Sequence, residues 1–150
     1  MKPAPCSTPQ ILLIDDNSDG LLVRRTLLEE VGCKVTLAHS GEEGLNLFDG
    51  GRFQVTVTDY RMPGGMDGIE VIRRIRTTEP EARVILLSGF VEPLGLNEEN
   101  TGADAVISKS ANEPAHLVRA VRRLVNRPAR KPPGSQKGTR RGTGITASGL

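Results

Sequence analysis

Short apolar runs alternate with amphipathic segments along this chain. The first run, residues 11–14, contains no polar residue and stops at a pair of aspartates, which is typical of a strand buried on both faces of a sheet. Residues 18–31 then place Val23, Leu27 and Val31 on one side of a helix. The pattern predicts a buried strand followed by a helix whose apolar side faces the sheet.

The same alternation continues through most of the chain. Further strands are predicted at residues 34–38, 53–58, 84–87 and 105–107, and further helices at residues 41–49, 68–77 and 112–126. A weaker segment covers residues 92–101, where Pro93, Gly95 and Asn97 favour a short or irregular helix. Five strands separated by helices predict an α/β fold. We expect a flavodoxin-like, doubly wound, five-stranded parallel sheet of order 2-1-3-4-5 with helices on both faces.

The composition changes at both ends of the chain. Residues 1–9 contain three prolines and are predicted to be a flexible leader, and residues 10–126 form the predicted domain. Residues 127–150 hold six basic residues and no acidic one, which predicts a basic, disordered, solvated tail. Residues 1–126 carry 14 basic and 18 acidic residues, so the body is acidic, unlike a uniformly basic nucleic-acid-binding protein.

Two cysteines, Cys6 and Cys33, are too few for a disulfide framework or a cysteine metal site. The N-terminus lacks the charged-then-apolar order of a signal peptide, and no apolar run approaches the roughly 18 residues of a membrane span. We therefore expect a soluble protein of the reducing cytoplasm that does not contact a membrane.

Three aspartates stand where predicted strands end. Asp15 and Asp16 follow the first strand and Asp59 follows the third, and in the expected strand order these strands are neighbours about 4.8 Å apart. Carboxylates about 4 Å apart repel by roughly 4 kcal/mol at an effective dielectric of about 20. A divalent cation would relieve this repulsion, and oxygen ligands suit Mg²⁺ or Mn²⁺. For Asp15 and Asp16 alone, a turn with a helix cap is an equally good interpretation.

Two more polar residues follow the fourth and fifth predicted strands. Ser88 follows residues 84–87, and Lys109 lies just beyond residues 105–107. A hydroxyl group and an ammonium group beside carboxylates and a cation would bind an anionic phosphoryl group. Each residue alone is weak evidence, but together they place a functional group at the end of every predicted strand except the second.

Four motifs occur in order along the chain: ILLIDDN, VTDYRMPGGMDGIEVIRRIR, VILLSGF and GADAVISK. With these motifs the chain resembles, over residues 10–126, the receiver domain of bacterial response regulators. The resemblance implies that Asp59 is the phosphoacceptor, that Asp16 binds the metal directly and that Asp15 supports it. It also implies that the backbone carbonyl of Arg61 is the third protein ligand.

The resemblance further implies a signalling switch and not an enzyme with a separate substrate. Asp59 would receive a phosphoryl group from a histidine kinase or a histidine phosphotransfer protein in a Mg²⁺-dependent reaction. Ser88 would turn toward the phosphoryl group and Lys109 would pair with it. The output would be contact with a downstream protein partner that the sequence does not identify, with phosphorylation-dependent homodimerisation as a further expectation and no DNA-binding domain. The chain would be a stand-alone receiver or a module of a hybrid kinase.

Several positions depart from the family pattern. The loop from Asp59 to Gly68 is one residue longer than usual. Val106 stands where the family has its switch aromatic, so an aromatic rotamer change is not available. Ser110 replaces the usual proline after Lys109, which argues against a cis peptide at this bond.

Two bulky residues lie near the expected path of the hydrolytic water. Arg61 and Phe90 each stand two residues beyond a site residue, and we expect them to shield the acyl phosphate and slow its hydrolysis. In the absence of a switch aromatic, the conformational signal is expected to pass through residues 90–101.

Two other classes fit less well. A haloacid-dehalogenase phosphatase also uses an aspartate nucleophile with Mg²⁺, but it needs a second aspartate where this chain has Arg61. A flavodoxin binds phosphate at its first loop, where Asp15 and Asp16 would repel it. His39 and His116 are expected to be surface residues.

Overall fold

The computed structural model describes residues 8–89 and 94–127. Most of the predicted leader and tail, together with Phe90, therefore lies outside the described residues. The elements in order are β1 (Gln10–Ile14), α1 (Ser18–Glu30), β2 (Lys34–Ala38), α2 (Gly41–Gly50), β3 (Val55–Asp59), α3 (Gly68–Thr78), β4 (Val84–Ser88), α4 (Glu98–Thr101), β5 (Ala105–Ser108) and α5 (Glu113–Asn126). Every predicted strand and helix has a counterpart, and no end differs by more than two residues except the start of the weak fourth helix, which was predicted at residue 92.

The five strands form one parallel sheet of order β2-β1-β3-β4-β5, which confirms the predicted topology. β3 and β4 are buried along their whole length. Such strands need cover on both faces, and the helices supply it. No helix within the described ranges is long and apolar enough to cross a membrane.

Two apolar clusters fill the space between the sheet and its helices. One face of the sheet packs against α1 and α5 through Leu21, Leu28, Leu117 and Val121. The opposite face packs against α3 through Val71, Ile72 and Ile75, with α2 contributing partly buried residues. The core is aliphatic, as the low aromatic content requires.

The predicted inward side of α1 is wrong in one respect. Val23 is 66% exposed, whereas Leu21 and Leu28 are fully buried. Leu27 and Val31 are partly buried against the same cluster. The buried side of the helix is therefore centred on positions 21, 24 and 28, and the reason lies in Arg24, which is described below.

The weak fourth helix is short, as predicted. α4 has only four residues, and Asn97 caps it by accepting a hydrogen bond from the Asn100 amide. Gly95 has a φ of 65°, a left-handed conformation that opposes a longer helix. The predicted residues 92 and 93 of this segment lie outside the described residues.

Candidate functional site

The register of the central strands brings the predicted site residues to one edge of the sheet. β1 and β3 pair Ile14 with Thr58, so Asp15 and Asp59 follow side by side. β3 and β4 pair Asp59 with Leu87, which places Ser88 one step beyond. Ligands of doubly wound folds bind beyond this carboxyl edge of the strands.

Asp15, Asp16 and Asp59 form the expected carboxylate cluster. One carboxylate oxygen from each lies within 4.8 Å of the others. Asp15 and Asp59 are buried, whereas Asp16 is exposed. Three carboxylate oxygens, one of them open to solvent, suit a hard divalent cation that keeps several water ligands. The donor set therefore fits Mg²⁺.

Lys109 forms an ion pair with Asp59 through its Nζ and Oδ1 atoms. The Lys109 side chain is 33% exposed and the Asp59 side chain only 5%. Burial raises the pKa of Asp59 above its ordinary value, Lys109 opposes this rise, and the charge of Asp15 adds to it. The ammonium group thus offsets part of the negative charge of the carboxylate cluster.

The end of β4 is joined to the segment that carries Lys109. Ser88 is buried, and its carbonyl accepts a hydrogen bond of 3.0 Å from the Lys109 amide. Ser88 therefore lies at the same edge as the aspartates, as predicted. Arg61 is exposed and two residues beyond Asp59, and the role of its carbonyl as a metal ligand stays a prediction.

The loop between Asp59 and α3 is tightly tied to the strand. The Gly68 amide donates to the Tyr60 carbonyl over 2.9 Å, and Asp67 caps α3 by accepting from the Glu70 amide. A Cβ atom at Gly68 would lie 2.3 Å from the Asp59 carbonyl oxygen. The glycine thus permits α3 to begin directly against the backbone of Asp59.

Two departures from the family pattern, the extra loop residue and the serine after Lys109, fall within the described residues. Gly64 adopts a φ of 87°, which favours glycine at this point of the lengthened loop. No cis peptide occurs within the described residues, so the bond between Lys109 and Ser110 is trans. Val106, at the position of the family's aromatic, is partly buried.

Sequence reasoning missed Arg24 and Glu113. The Arg24 guanidinium donates to Asp15 Oδ2 over 3.0 Å and to both oxygens of Glu113 over 2.7 and 3.1 Å. Burial lowers the pKa of Arg24, but the two carboxylates outweigh this effect and raise it. The sequence carried no clear signal for this contact, because periodicity selects apolar residues and both carboxylate partners lie outside α1. His39 and His116, as predicted, are exposed.

Comparison with known proteins agrees with this geometry. The profile of the response regulator receiver domain family matches residues 11–122. The chain is 37% identical to the transcriptional regulatory protein YkoG of Bacillus subtilis over 78 residues, which are 52% of this chain and 34% of YkoG. It is 40% identical to the sensor histidine kinase GacS of Pseudomonas protegens over 73 residues, 49% of this chain but 8% of GacS. The chain thus spans about a third or less of these curated relatives.

Solved structures show the same fold. The response regulator TrrA of Thermotoga maritima, crystallised with Mg²⁺ and BeF, is 30% identical, with a TM-score of 0.71 over 78% of this chain and 99% of TrrA. A receiver domain from Clostridium thermocellum is 31% identical, with a TM-score of 0.70 over 79% of this chain and 94% of that domain. On the evidence of its strand order, its acidic edge and these matches, the chain belongs to the receiver domain family of two-component response regulators.

Proposed function

We propose that this receiver accepts a phosphoryl group on Asp59 from a phosphohistidine of a histidine kinase or histidine phosphotransfer protein. The observation that carries the proposal is the position of Asp59. Its buried carboxylate ends a central strand, two further carboxylates lie within 4.8 Å, and the Lys109 ammonium pairs with it. A nucleophile, a cation site and a positive charge thus meet at one point.

The proposed transfer needs little covalent chemistry from the protein. A carboxylate oxygen of Asp59 attacks phosphorus, a new P–O bond forms, and the P–N bond to the donor imidazole breaks. The electron pair of that bond leaves with the imidazole, which then takes a proton from solvent. Lys109 balances charge on the phosphoryl oxygens, and the Ser88 hydroxyl donates a hydrogen bond to one of them. The protein is thereby modified on its own Asp59 and does not convert a separate substrate.

Mg²⁺ or Mn²⁺ is the proposed cofactor. Asp15, Asp16, Asp59 and the Arg61 backbone carbonyl would hold it, with Asp16 offering the most exposed oxygen. When bound, the cation supplies positive charge that stabilises the phosphoryl oxygens during transfer. Oxygen-only donors and room for water ligands support this choice over a softer metal.

The donor and the output are proposed only by class. Sensor kinases among the relatives, such as GacS, contain a matching segment as a small part of a longer chain. This observation supports either a separate receiver or a module attached to a kinase. Signalling would proceed through contact with a protein partner, and phosphorylation would bias the shape of the contacting surface.

The test uses acetyl phosphate as a small donor. With Mg²⁺, the parent protein should gain one phosphoryl group that hydroxylamine removes, because the product is an acyl phosphate. Asp59→Asn should gain none, and Asp16→Asn should react slowly at low Mg²⁺ and recover as Mg²⁺ rises. Phosphorylation of Asp59→Asn at the parent rate would refute the assignment. Equal dependence on Mg²⁺ in Asp16→Asn and the parent would refute the proposed cation site.

A further inference from the structure

Arg24 links Asp15, a member of the carboxylate cluster, to the last helix, α5. It lies on the buried side of α1, and its side chain is only 12% exposed. One guanidinium nitrogen donates a hydrogen bond to Asp15, and the two others donate to Glu113, the first residue of α5. Bidentate contacts of this kind hold the guanidinium plane in one orientation.

The groups around Arg24 are buried with it and leave space for its guanidinium. The carboxylates of Asp15 and Glu113 are themselves 5% and 12% exposed. A Cβ atom at Gly20, one turn earlier on α1, would lie 2.9 Å from the Arg24 Nη1 atom, so the glycine leaves space for the guanidinium. Separating Arg24 from its partners would leave a buried charge without compensation. This cost favours the arrangement in which Arg24 contacts both carboxylates.

The Asp15 carboxylate both contacts Arg24 and belongs to the proposed cation site. Its Oδ1 atom accepts the Asn17 amide over 3.0 Å, and its Oδ2 atom accepts Arg24. The same carboxylate belongs to the cluster that would hold a divalent cation. A cation there attracts Asp15 and repels the guanidinium, so it must weaken the contact between Asp15 and Arg24.

Glu113 in turn is close to the site lysine along the chain. Its amide donates to the Ser110 carbonyl over 3.0 Å, and Ser110 follows Lys109 directly. Movement of the guanidinium with Glu113 would therefore reach the loop that holds Lys109.

We propose that Arg24 is a positioning residue that transmits cation binding at Asp15 to the first turn of α5 and the loop carrying Lys109. This linkage rests on the proposed function, which supplies the cation. It offers a path from the site to the α1–α5 side of the domain that does not need an aromatic at position 106.

The test follows Mg²⁺ titration by amide NMR in the full chain. In the parent protein, Mg²⁺ should shift the amide signals of residues 15–17 and also those of the non-proline residues among 110–116. In Glu113→Gln the Mg²⁺ affinity should change by less than about threefold, but the shifts at 110–116 should fall to roughly half or less, because the charged link is broken. Glu99→Gln, which removes an exposed charge from the first turn of α4, is the matched control and should retain both sets of shifts.

A second variant, which keeps the charge at position 24, separates loss of the link from local unfolding. Arg24→Lys keeps the positive charge, but one ammonium cannot repeat the three contacts of the guanidinium, so Mg²⁺ should bind and the distant shifts should shrink. Full shifts at 110–116 in both variants would overturn the linkage while leaving the proposed function intact. Absence of Mg²⁺ binding to the parent would refute the proposed function and the linkage with it.

Discussion

Replacing Gly68 by alanine would place a methyl group against the backbone of the proposed phosphoacceptor. The new Cβ would lie 2.3 Å from the Asp59 carbonyl oxygen, 2.8 Å from a Leu86 methyl and 3.0 Å from the Tyr60 Cα. Two of these atoms belong to the backbone, so a rotamer change cannot relieve the overlap. The Asp59 oxygen is also held by a 3.1 Å hydrogen bond from the Thr58 hydroxyl. Either α3 or the end of β3 must therefore move.

The expected cost is that of overpacking, about 1–3 kcal/mol of the free energy of unfolding. Since 1 kcal/mol moves the Tm of a domain of this size by roughly 4 °C, the Tm should fall by roughly 4–12 °C. Displacement of Asp59 should also slow phosphorylation by acetyl phosphate about tenfold or more, because transfer depends on the position of the nucleophile.

Gly50→Ala is the matched control for this experiment. Gly50 ends α2, and a Cβ atom there would have no neighbour within 4 Å. This variant should keep the parent rate of phosphorylation and gain up to about 1 kcal/mol from reduced freedom of the unfolded chain. If Gly68→Ala matched Gly50→Ala in both Tm and rate, the close approach of α3 to Asp59 would not limit the site.

Two predictions concern the opposite edge of the sheet. Burial raises the pKa of Asp104, but hydrogen bonds from the Val84 amide, Arg76 and Arg127 outweigh this effect, and the net pKa is lowered. Asp104→Asn should therefore cost about 2 kcal/mol at neutral pH, a low value for a buried pair because Arg127 is partly exposed, and the loss should shrink as pH falls below the ordinary aspartate pKa of about 3.9. A constant difference in urea midpoint down to pH 3 would contradict this. The second prediction compares two truncations. Ending the chain after residue 127 should leave the Tm unchanged, whereas ending it after residue 126 should lower the Tm, because Arg127 pairs with Asp104 and its carbonyl accepts a hydrogen bond from Arg83. Equal Tm values would show that Arg127 does not anchor this edge.

The sheet and its site edge were predictable because they follow from coarse features of the sequence. The apolar run ending at Asp15, and the equivalent strand ending at Asp59, define two buried parallel strands. Once these strands are neighbours, their final carboxylates must meet, whatever the side-chain details. Strand ends were less predictable, since β3 begins at Val55 and not at residue 53.

The apolar side of α1 was not predictable in the same way. Periodicity selects apolar residues, and Val23 fits a helical stripe with Leu27 and Val31 better than Arg24 does. In the structure position 24 faces inward and Val23 faces solvent. An arginine is stable there only because a carboxylate from a strand end and another from α5 meet it, and both partners are distant in sequence or outside the helix.

The same contacts change the electrostatic argument for a metal. Three mutually close carboxylates need compensating positive charge, and two protein cations already supply part of it. Lys109 pairs with Asp59, and Arg24 pairs with Asp15. Arg24 is shared with Glu113, so the two cations offset only part of the negative charge. Asp16 pairs with neither of them, but it is exposed, so solvent screens it. The cluster can therefore persist without metal, and a divalent cation should bind weakly until a phosphoryl group on Asp59 adds negative charge and engages Lys109.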